Sequence, residues 1–386
     1  MRFTSHGRLV ILVLSVLLAH LGACQQIQPG ALNGDDYLPI LNDKSVGLVV
    51  NHTSMVGQTH LVDYLISNEI NVKRIFAPEH GFRGDQDAGA KIKNTRDEST
   101  GLPVVSLYGK NYKPTERQIA DLDYMIFDIQ DVGVRCFTFI STLHYVMEAC
   151  AENNVKLIVL DRPNPNIRYT DGPMLDTAFT SFVGKHPIPL MYGMTIGELA
   201  QMINGEGWLA EGNRCDLTVI PISDYDRDAS YECPIKPSPN MPNAQAIRLY
   251  ASLVFFEGTV ISMGRGTYEP FQMIGYPDPA FGNFQFVPIS IDGMEASPKY
   301  KDETCYGLDL RMTAPPEKVD INYVVDFYSK SKNKSEFFNS YFKLLAGTDQ
   351  LQQQIIDGLS AQEIHDSWQP AIDQFKEKRK AYLLYK

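Results

Sequence analysis

Glu79, His80 and Arg83 place a carboxylate, an imidazole and a guanidinium within five residues, between a proline and two glycines. The apolar run at residues 72–77 precedes them and is typical of a buried strand. The three polar residues then follow the carboxyl end of that strand, which is where open parallel sheets bind ligands. The pattern indicates a site, although a solvated loop in which Glu79 and Arg83 pair with each other has the same sequence signature.

Two further acidic residues, Asp128 and Asp131, lie at and just past the end of a second strand-like run, residues 124–129. If this strand lies beside the one that leads to Glu79, the carboxylates converge. Paired carboxylates suit glycosidic bond cleavage, because one donates a proton to the leaving oxygen while the other supports the attack. The structural alternatives are hydrogen bonds to loop amides for Asp128 and a turn or helix cap for Asp131.

Two other loops present groups that suit a sugar ligand. Asn164 lies between two prolines, and we expect its amide to bind a sugar hydroxyl; a cis-proline turn is the alternative. Arg265 lies between two glycines, which lets a guanidinium approach a carboxylate with both nitrogens. A surface turn is the alternative for Arg265.

The elements that must position these residues alternate between strand and helix. Strand-like runs occupy residues 46–51, 72–77, 104–107, 124–129 and 156–161, and helical patterns occupy residues 61–68, 115–122 and 139–153. Continuous apolar strands joined by helices predict a parallel sheet that is covered on both faces. No Gly-x-Gly-x-x-Gly motif follows the first strand, so we do not expect a dinucleotide site.

The sequence changes character after a helix predicted at residues 196–204, which starts with a capping box of Thr195 and Glu198 and ends at Gly205. A proline-rich stretch follows, and the last 65 residues or so are mainly helical in pattern. We therefore predict an α/β chain. A Rossmann-like parallel-sheet domain occupies residues 37–205, and a smaller α+β auxiliary domain occupies residues 206–386.

The first 24 residues have the pattern of a bacterial lipoprotein signal. Two arginines precede an apolar stretch of signal-peptide length at residues 9–21. Cys24 ends a Leu-Gly-Ala-Cys segment that resembles the lipobox, in which the cysteine becomes the lipidated first residue. A plain secretory signal with a chance cysteine is the alternative. We expect residues 25–36 to form a tether and the lipid to anchor the protein in the cell envelope, on the periplasmic side or at the surface.

Composition excludes several other functions. The net charge is −11 and no basic run occurs, which argues against nucleic-acid binding. The histidines lack metal-ligand spacing, and neither a Walker A motif nor a Gly-x-Ser-x-Gly motif is present, so we expect no metal, no cofactor and no serine esterase. Cys215 and Cys233 are candidates for a disulfide in an oxidising compartment, which the spacing does not decide.

Eight ordered sequence blocks together resemble the NamZ-type exo-β-N-acetylmuramidases, formerly a family of unknown function. The blocks are residues 47–54, 78–84, 127–135, 161–165, 240–242, 256–259, 264–271 and 382–385. The resemblance implies a Rossmann-like domain and an auxiliary domain with the substrate cleft between them. It also implies an exo-acting glycosidase that releases N-acetylmuramic acid from the non-reducing ends of peptidoglycan disaccharides or muropeptides.

The family's catalytic glutamate corresponds to Glu79, which we expect to be the general acid. Asn51, His80, Glu257 and Glu269 lie within the matching blocks and are expected to bind substrate. The second catalytic group is either Asp128 or Asp131, as inferred from position, or the acetamido group of the sugar itself.

The lactyl carboxylate of N-acetylmuramic acid requires a cation, because burying an unpaired charge is costly. Arg83, Arg135 and Arg265 are the candidates. The alternative function is a non-catalytic, lipid-anchored protein that binds cell-wall sugars, which needs the same pocket without a proton-donating carboxyl group.

Overall fold

The computed structural model describes residues 27–82 and 95–386. Its strands are β1 (Ser45–Val50), β2 (Met55–Val56), β3 (Thr59–His60), β4 (Asn71–Ala77), β5 (Thr95–Arg96), β6 (Pro103–Ser106), β7 (Tyr124–Asp128), β8 (Lys156–Leu160), β9 (Thr170–Asp171), β10 (Met191–Tyr192), β11 (Leu217–Ile220), β12 (Met273–Tyr276), β13 (Phe284–Phe286) and β14 (Cys305–Asp309). Its α-helices are α1 (Gly34–Leu41), α2 (Leu61–Ser67), α3 (Glu116–Ile119), α4 (Phe139–Asn153), α5 (Ile196–Gly205), α6 (Ala244–Leu253), α7 (Asn322–Lys330), α8 (Tyr341–Ala346), α9 (Gln350–Ile356) and α10 (Ala361–Arg379). None of these helices combines the length and the apolar character needed to cross a bilayer.

The central sheet has the order β11-β8-β7-β1-β4-β6-β5. All neighbours pair in parallel except β5, which runs antiparallel to β6. The chain builds β4 and β6 on one side of β1 and then crosses to β7, β8 and β11 on the other side. This is the strand order of a Rossmann-like sheet, and it confirms the predicted fold class.

The strands of this sheet are apolar on both faces, and successive residues enter different hydrophobic clusters. Met125 and Phe127 on β7 pack in the cluster that contains Leu143 of α4, whereas Ile126 packs in the cluster that contains Leu65 of α2. Because side chains alternate across a strand, each face of the sheet needs its own covering helices. The continuous apolar runs in the sequence arise from this two-sided burial.

The large sheet extends further along the chain than the sequence predicted. β11 pairs in parallel with β8 through residues 217–220, past the boundary placed at Gly205. The change in sequence character at Gly205 marks only the end of α5, which is the crossover helix before the last strand. The predicted boundary therefore falls inside the sheet domain.

The predicted tether at residues 25–36 also belongs in part to the folded domain. The amide of Gly30 donates to the carbonyl of Asp161 at 2.8 Å, and Ala31 is fully buried. A Cβ at Gly30 would lie 2.3 Å from the carbonyl oxygen of Ile220, so glycine permits this close approach. Gln28 forms an antiparallel bridge with Ser223, just after β11, so the segment is attached to the edge of the sheet from Gln28 onward and is not a flexible tether there.

The second domain contains a three-stranded antiparallel sheet, β12-β14-β13, and the helices α6 to α10. Its carboxyl-terminal segment returns to the first domain. The hydroxyl of Tyr385 donates to Asp161 at 2.6 Å, at the end of β8. The two domains are thus joined at the last residues of the chain as well as by the segment between β11 and α6.

Candidate active site

Two adjoining cavities lie where the first and second domains meet at the carboxyl edge of the sheet. The more open cavity has a volume of about 380 Å³, within the range of small-molecule sites. Five residues line both cavities: Glu79, Tyr108, Glu257, Arg265 and Tyr341. The first two come from the sheet domain and the other three from the second domain, so the site requires both.

Glu79 directly follows β4 and is half-buried, with its carboxyl group held by neighbouring hydroxyls. The hydroxyl of Thr138 donates to Oε2 of Glu79 at 2.8 Å, and Tyr108 is also hydrogen-bonded to this side chain. Burial and the adjacent Glu79 charge raise the pKa of Tyr108 above its usual range, so Tyr108 remains a neutral donor. A carboxyl group with two fixed hydroxyl partners has a defined orientation toward a ligand.

The loop that carries Glu79 has a constrained backbone. The amide of Gly81 donates to the carbonyl of Pro78 at 3.0 Å, and His80 adopts a left-handed φ of 67°. Such conformations cost of order 1–3 kcal/mol for a residue other than glycine and cluster at functional sites. His80 is buried, lies 3.3 Å from the hydroxyl of Ser238 through Nε2, and lines the first cavity; its role as a substrate contact stays a prediction.

Arg265 and Glu257 form an ion pair on the opposite wall. Nη2 of Arg265 donates to Oε1 of Glu257 at 2.7 Å, while Nη1 lies 3.8 Å from Oε2 of Glu295. Burial lowers the pKa of Arg265, but the carboxylates of Glu257 and Glu295 outweigh it and the net shift is upward. Nη1 is buried and has no hydrogen-bond partner among the described residues, so a cationic donor is available at the cavity wall.

Lys299 fixes the segment that carries Glu257. Its ammonium group donates to the carbonyls of Phe256 at 2.9 Å and Thr259 at 2.5 Å. Burial lowers the pKa of Lys299 to about 8. The bonds to carbonyls on both sides of Glu257 hold the backbone of the ion pair in place.

The first cavity has both apolar and polar side chains in its lining. Its apolar lining includes Cys136, Phe137, Phe139, Val183 and Met241. Asn240 also lines this cavity, is buried, and donates from Nδ2 to the carbonyl of Met294 at 3.0 Å. Its Oδ1 has no hydrogen-bond partner in the described part of the chain, which leaves one unsatisfied acceptor at the cavity.

The structure does not bring Asp128 to Glu79. β1 lies between β4 and β7, so the two residues leave strands that are not neighbours, contrary to the predicted convergence. Asp128 is fully buried, and Arg162 donates to both of its oxygens, from Nε at 2.5 Å and from Nη2 at 2.8 Å. Asp128 lines neither cavity and has a structural partner for each oxygen.

Asp131 is likewise buried away from the two cavities. Its Oδ2 accepts from the amide of Gly133 at 2.7 Å and from the hydroxyl of Tyr192. Burial raises the pKa of Asp131 to about 6. The structural alternative, a turn role, matches this geometry. Glu257, predicted only to bind substrate, is the second carboxylate that shares the cavities with Glu79.

Arg135 is not placed to bind a substrate carboxylate. It is fully buried, and burial lowers its pKa to about 10. Its guanidinium donates to four main-chain carbonyls, those of Pro173, Ile188, Leu345 and Ala346. The arginine thereby ties α8 of the second domain to the sheet domain.

Three other predicted substrate contacts also have local structural roles. Oδ1 of Asn51 accepts from the backbone amide of Thr53 at 2.9 Å, and Nδ2 of Asn164 donates to the carbonyl of Met194 at 2.8 Å. Glu269 pairs with an exposed arginine at 3.0 Å. None of the three lines either cavity. No peptide bond among the described residues is cis, which removes the cis-proline alternative beside Asn164.

Arg83 and Cys24 lie outside the described residues, and their roles stay predictions.

The described cysteines are all free thiols. Cys215 is hydrogen-bonded to Cys150 of α4, not to Cys233. The candidate Cys215–Cys233 disulfide is therefore not formed in this structure.

Sequence reasoning missed three residues that surround Glu79. Tyr108 follows β6, and its place just after an apolar strand at the same edge of the sheet was a usable signal. Thr138 precedes α4 as its N-cap, which pattern alone does not connect to Glu79. Tyr341 comes from α8, over 200 residues later, and no local feature marks it.

Comparison with known proteins gives two family models that match consecutive parts of the chain. The model described as "Exo-beta-N-acetylmuramidase NamZ, N-terminal" matches residues 46–245, and the corresponding C-terminal model matches residues 248–385. The two models meet at the start of α6, beyond the last strand of the large sheet.

A curated relative and two solved structures resemble the whole chain. The peptidoglycan β-N-acetylmuramidase NamZ of Bacillus subtilis (strain 168) is 36% identical over 375 residues, which cover 91% of this chain and 89% of that protein. A crystal structure of a DUF1343 family protein from Bacteroides fragilis NCTC 9343 is 44% identical, with a TM-score of 0.87 over 94% of this chain and 99% of the other. A second DUF1343 protein of the same strain is 29% identical, with a TM-score of 0.79 over 93% of this chain and 99% of the other.

Proposed function

We propose that this chain, which belongs to the NamZ family of exo-β-N-acetylmuramidases, releases N-acetylmuramic acid from the non-reducing ends of peptidoglycan fragments. The observation that carries the mechanism is the position of Glu79. It is a half-buried carboxyl group, oriented by Thr138 and Tyr108, in a cavity that also contains an Arg–Glu ion pair. Oriented carboxyl groups beside a second carboxylate are the machinery of glycoside hydrolysis.

Glu79 is the general acid in this proposal. Bond cleavage requires a proton on the leaving oxygen, and the donor must lie within hydrogen-bond reach in a fixed orientation. Thr138 and Tyr108 provide that orientation from the ends of α4 and β6. Glu79 lines both cavities, so a sugar ring on either side of the scissile bond is within its reach.

Glu257 is the second carboxylate. Its ion pair with Arg265 at 2.7 Å keeps a negative charge at the cavity, and Lys299 holds the backbone on both sides. A fixed negative charge stabilises the positive charge that develops on the sugar ring as the glycosidic bond breaks. The acetamido group of the substrate remains the alternative nucleophile.

Two groups suit the features that distinguish N-acetylmuramic acid. Nη1 of Arg265 makes no hydrogen bond among the described residues, although it lies 3.8 Å from the carboxylate of Glu295, and we assign it to the lactyl carboxylate. Asn240 lines the first cavity together with apolar side chains such as Met241, and its Oδ1 suits the N–H of an acetamido group. Both assignments use buried polar atoms that gain a partner when the substrate binds.

The protein acts, in this proposal, from a lipid anchor in the cell envelope. The Leu-Gly-Ala-Cys segment at Cys24 supports lipidation of that residue, and peptidoglycan lies in the same compartment. Cys24→Ala should block processing and leave the signal attached. Intact-mass measurement of membrane-extracted protein tests this, and an unmodified N-terminus downstream of Cys24 would contradict it.

The proposed activity is tested with a pair of chromogenic substrates. The protein without its signal is incubated with an aryl β-N-acetylmuraminide and with the matching N-acetylglucosaminide, with a mock preparation from cells that do not express the protein as the control for contaminating glycosidases. We expect release from the muraminide alone. If neither substrate is cleaved while calorimetry detects N-acetylmuramic acid binding, the protein is the non-catalytic sugar-binding lipoprotein instead.

A further inference from the structure

A group of half-buried aromatic rings continues outward from the active-site cavities. The rings of Tyr108, Tyr112, Phe182 and Tyr145 form this aromatic shelf. The ring centroids of Tyr112 and Phe182 lie 4.2 Å apart, those of Tyr108 and Phe182 lie 5.8 Å apart, and those of Tyr112 and Tyr145 lie 6.3 Å apart. A run of aromatic side chains that stays partly exposed marks a candidate ligand-binding surface.

The shelf is built on fixed supports. Tyr145 projects from α4, the helix that also presents Thr138 to Glu79. The carbonyl of Phe182 accepts from the hydroxyl of Ser141 on the same helix at 2.7 Å. The rings therefore keep their position relative to the general acid, as a substrate subsite requires.

The shelf is also continuous with the Glu79 site. Tyr108 and Phe182 line the first cavity, and Tyr108 is hydrogen-bonded to Glu79 itself. Tyr112 and Tyr145 line neither cavity and extend the aromatic surface away from the acid. In an exo-acting enzyme the terminal sugar fills the enclosed site, so the rest of the substrate must leave along a surface of this kind.

The far end of the shelf carries a positive charge. Nζ of Lys185 lies 4.5 Å from the ring centroid of Tyr145. In the described part of the chain, no carboxylate lies within ion-pair distance of Lys185, whereas nearby Lys113 is paired with Glu152 at 2.6 Å. Lys185 is thus a cation beside Tyr145 that an acidic ligand on this surface would meet.

We infer that the aromatic shelf binds the leaving-side saccharide, with an N-acetylglucosamine ring on Tyr112 and Phe182 and the carboxylate of the next muramic acid at Lys185. The inference rests on the proposed function and extends it to fragment length. Amphipathic aromatic rings pack on the apolar faces of a sugar while its hydroxyls stay in water. The protein should therefore prefer fragments longer than the disaccharide.

The test compares three substrates that differ only on the leaving side: N-acetylmuraminyl fluoride, the N-acetylmuramyl-N-acetylglucosamine disaccharide, and the tetrasaccharide. Tyr112→Ala should raise KM for both saccharides by roughly threefold to tenfold and leave fluoride turnover unchanged. Tyr112→Phe keeps the ring and should restore wild-type values. Lys185→Gln should raise KM for the tetrasaccharide alone, by roughly twofold to fivefold at low salt. Tyr323→Ala, a half-buried tyrosine on α7, is the control.

Two results would overturn the inference. In the first, Tyr112→Ala lowers kcat/KM for the fluoride and the saccharides by the same factor, which would mean a structural role. In the second, neither Tyr112→Ala nor Lys185→Gln changes KM for the disaccharide or the tetrasaccharide. If the wild type cleaves none of the substrates, the proposed function fails. The shelf is then tested by calorimetric titration of tetrasaccharide into two proteins, Glu79→Gln and the double variant Glu79→Gln with Tyr112→Ala. Weaker binding to the double variant would show that the shelf binds saccharide, and equal binding would contradict it.

Discussion

Carboxylates at the edge of this sheet fall into two groups that differ in their partners. On the β4 side, Glu79 is half-buried and shares its cavities with Glu257 of the second domain. On the β7 and β8 side, Asp128, Asp131 and Asp161 are buried and line neither of the two cavities. Glu79 and the three aspartates all lie at or near strand ends, so position along a strand does not by itself distinguish a reactive acid from a structural one.

Asp161 shows what the structural group does. Its Oδ2 accepts from the hydroxyls of Thr195 and Tyr385 at 2.6 Å each, and its Oδ1 accepts from the amide of Gly197 at 2.8 Å. These bonds connect the end of β8, the start of α5 and the last residues of the chain. A buried carboxyl group is tolerated only with such partners, because desolvating an unpartnered charge is costly. What distinguishes Glu79 is that it faces a space that a ligand can enter.

The largest effect is expected on the structural side, at Arg162. Arg162→Ala leaves the Asp128 charge buried without its partner, which should lower the free energy of unfolding by about 3–5 kcal/mol. Arg168→Ala is the control, since Arg168 and Asp228 form an exposed pair at 3.9 Å and its loss should cost roughly 0–1 kcal/mol. Urea unfolding measures both. If Arg162→Ala lowers the free energy of unfolding no more than the control does, the Asp128 carboxylate does not depend on Arg162 and is solvated.

On the cavity side, Arg265→Lys should impair catalysis without comparable loss of stability. Lysine keeps a charge beside Glu257 but cannot also offer the second nitrogen, and losing a charge-assisted bond costs about 1.5–3 kcal/mol, or roughly tenfold or more in kcat/KM for the muraminide. Arg311→Lys, in an exposed pair with Asp309, is the matched control. Unchanged kcat/KM in Arg265→Lys would place this arginine outside the substrate site.

The smallest effect is a pH dependence at Asp131. Burial raises its pKa from 3.8 to about 6, so across this window the folded state holds a proton that the unfolded chain has released. The free energy of unfolding therefore falls as pH rises through this window, by at most about 1.4 kcal/mol per pH unit. Above the window Asp131 is ionised in both states and adds no further pH dependence. Asp131→Asn should remove that part of the slope. Denaturation at several pH values measures it, and parallel curves for the two proteins would contradict the assignment.

Local patterns in the sequence predicted the elements well. α4 begins at Phe139 and ends at Asn153 as predicted, and the capping box of Thr195 and Glu198 is present at the start of α5. The bounds of the five predicted strands differ from the observed ones by at most one residue. These features depend on side-chain periodicity and on bonds within a few residues, which a single sequence contains.

The site was only partly predictable because its remaining features depend on contacts between distant residues. The sequence locates Asp128 at a strand end, but only the strand order shows that β1 separates it from Glu79. An arginine after a strand has the same local signature whether it binds substrate or is buried. The acceptors of Arg135, which lie 38 to 211 residues away, decide between these roles.

The central claim is that Glu79 donates the proton to the leaving oxygen. Its most direct test is the rate of Glu79→Gln on two substrates, the natural disaccharide and an aryl muraminide, in protein whose thermal unfolding matches the wild type. Glutamine keeps the shape of the side chain but cannot transfer a proton, so turnover of the disaccharide should fall by ~10²–10⁴-fold. The loss should be smaller for the aryl glycoside, whose leaving group needs less protonation. Equal losses on both substrates, or near-normal turnover of the disaccharide, would contradict the acid role of Glu79.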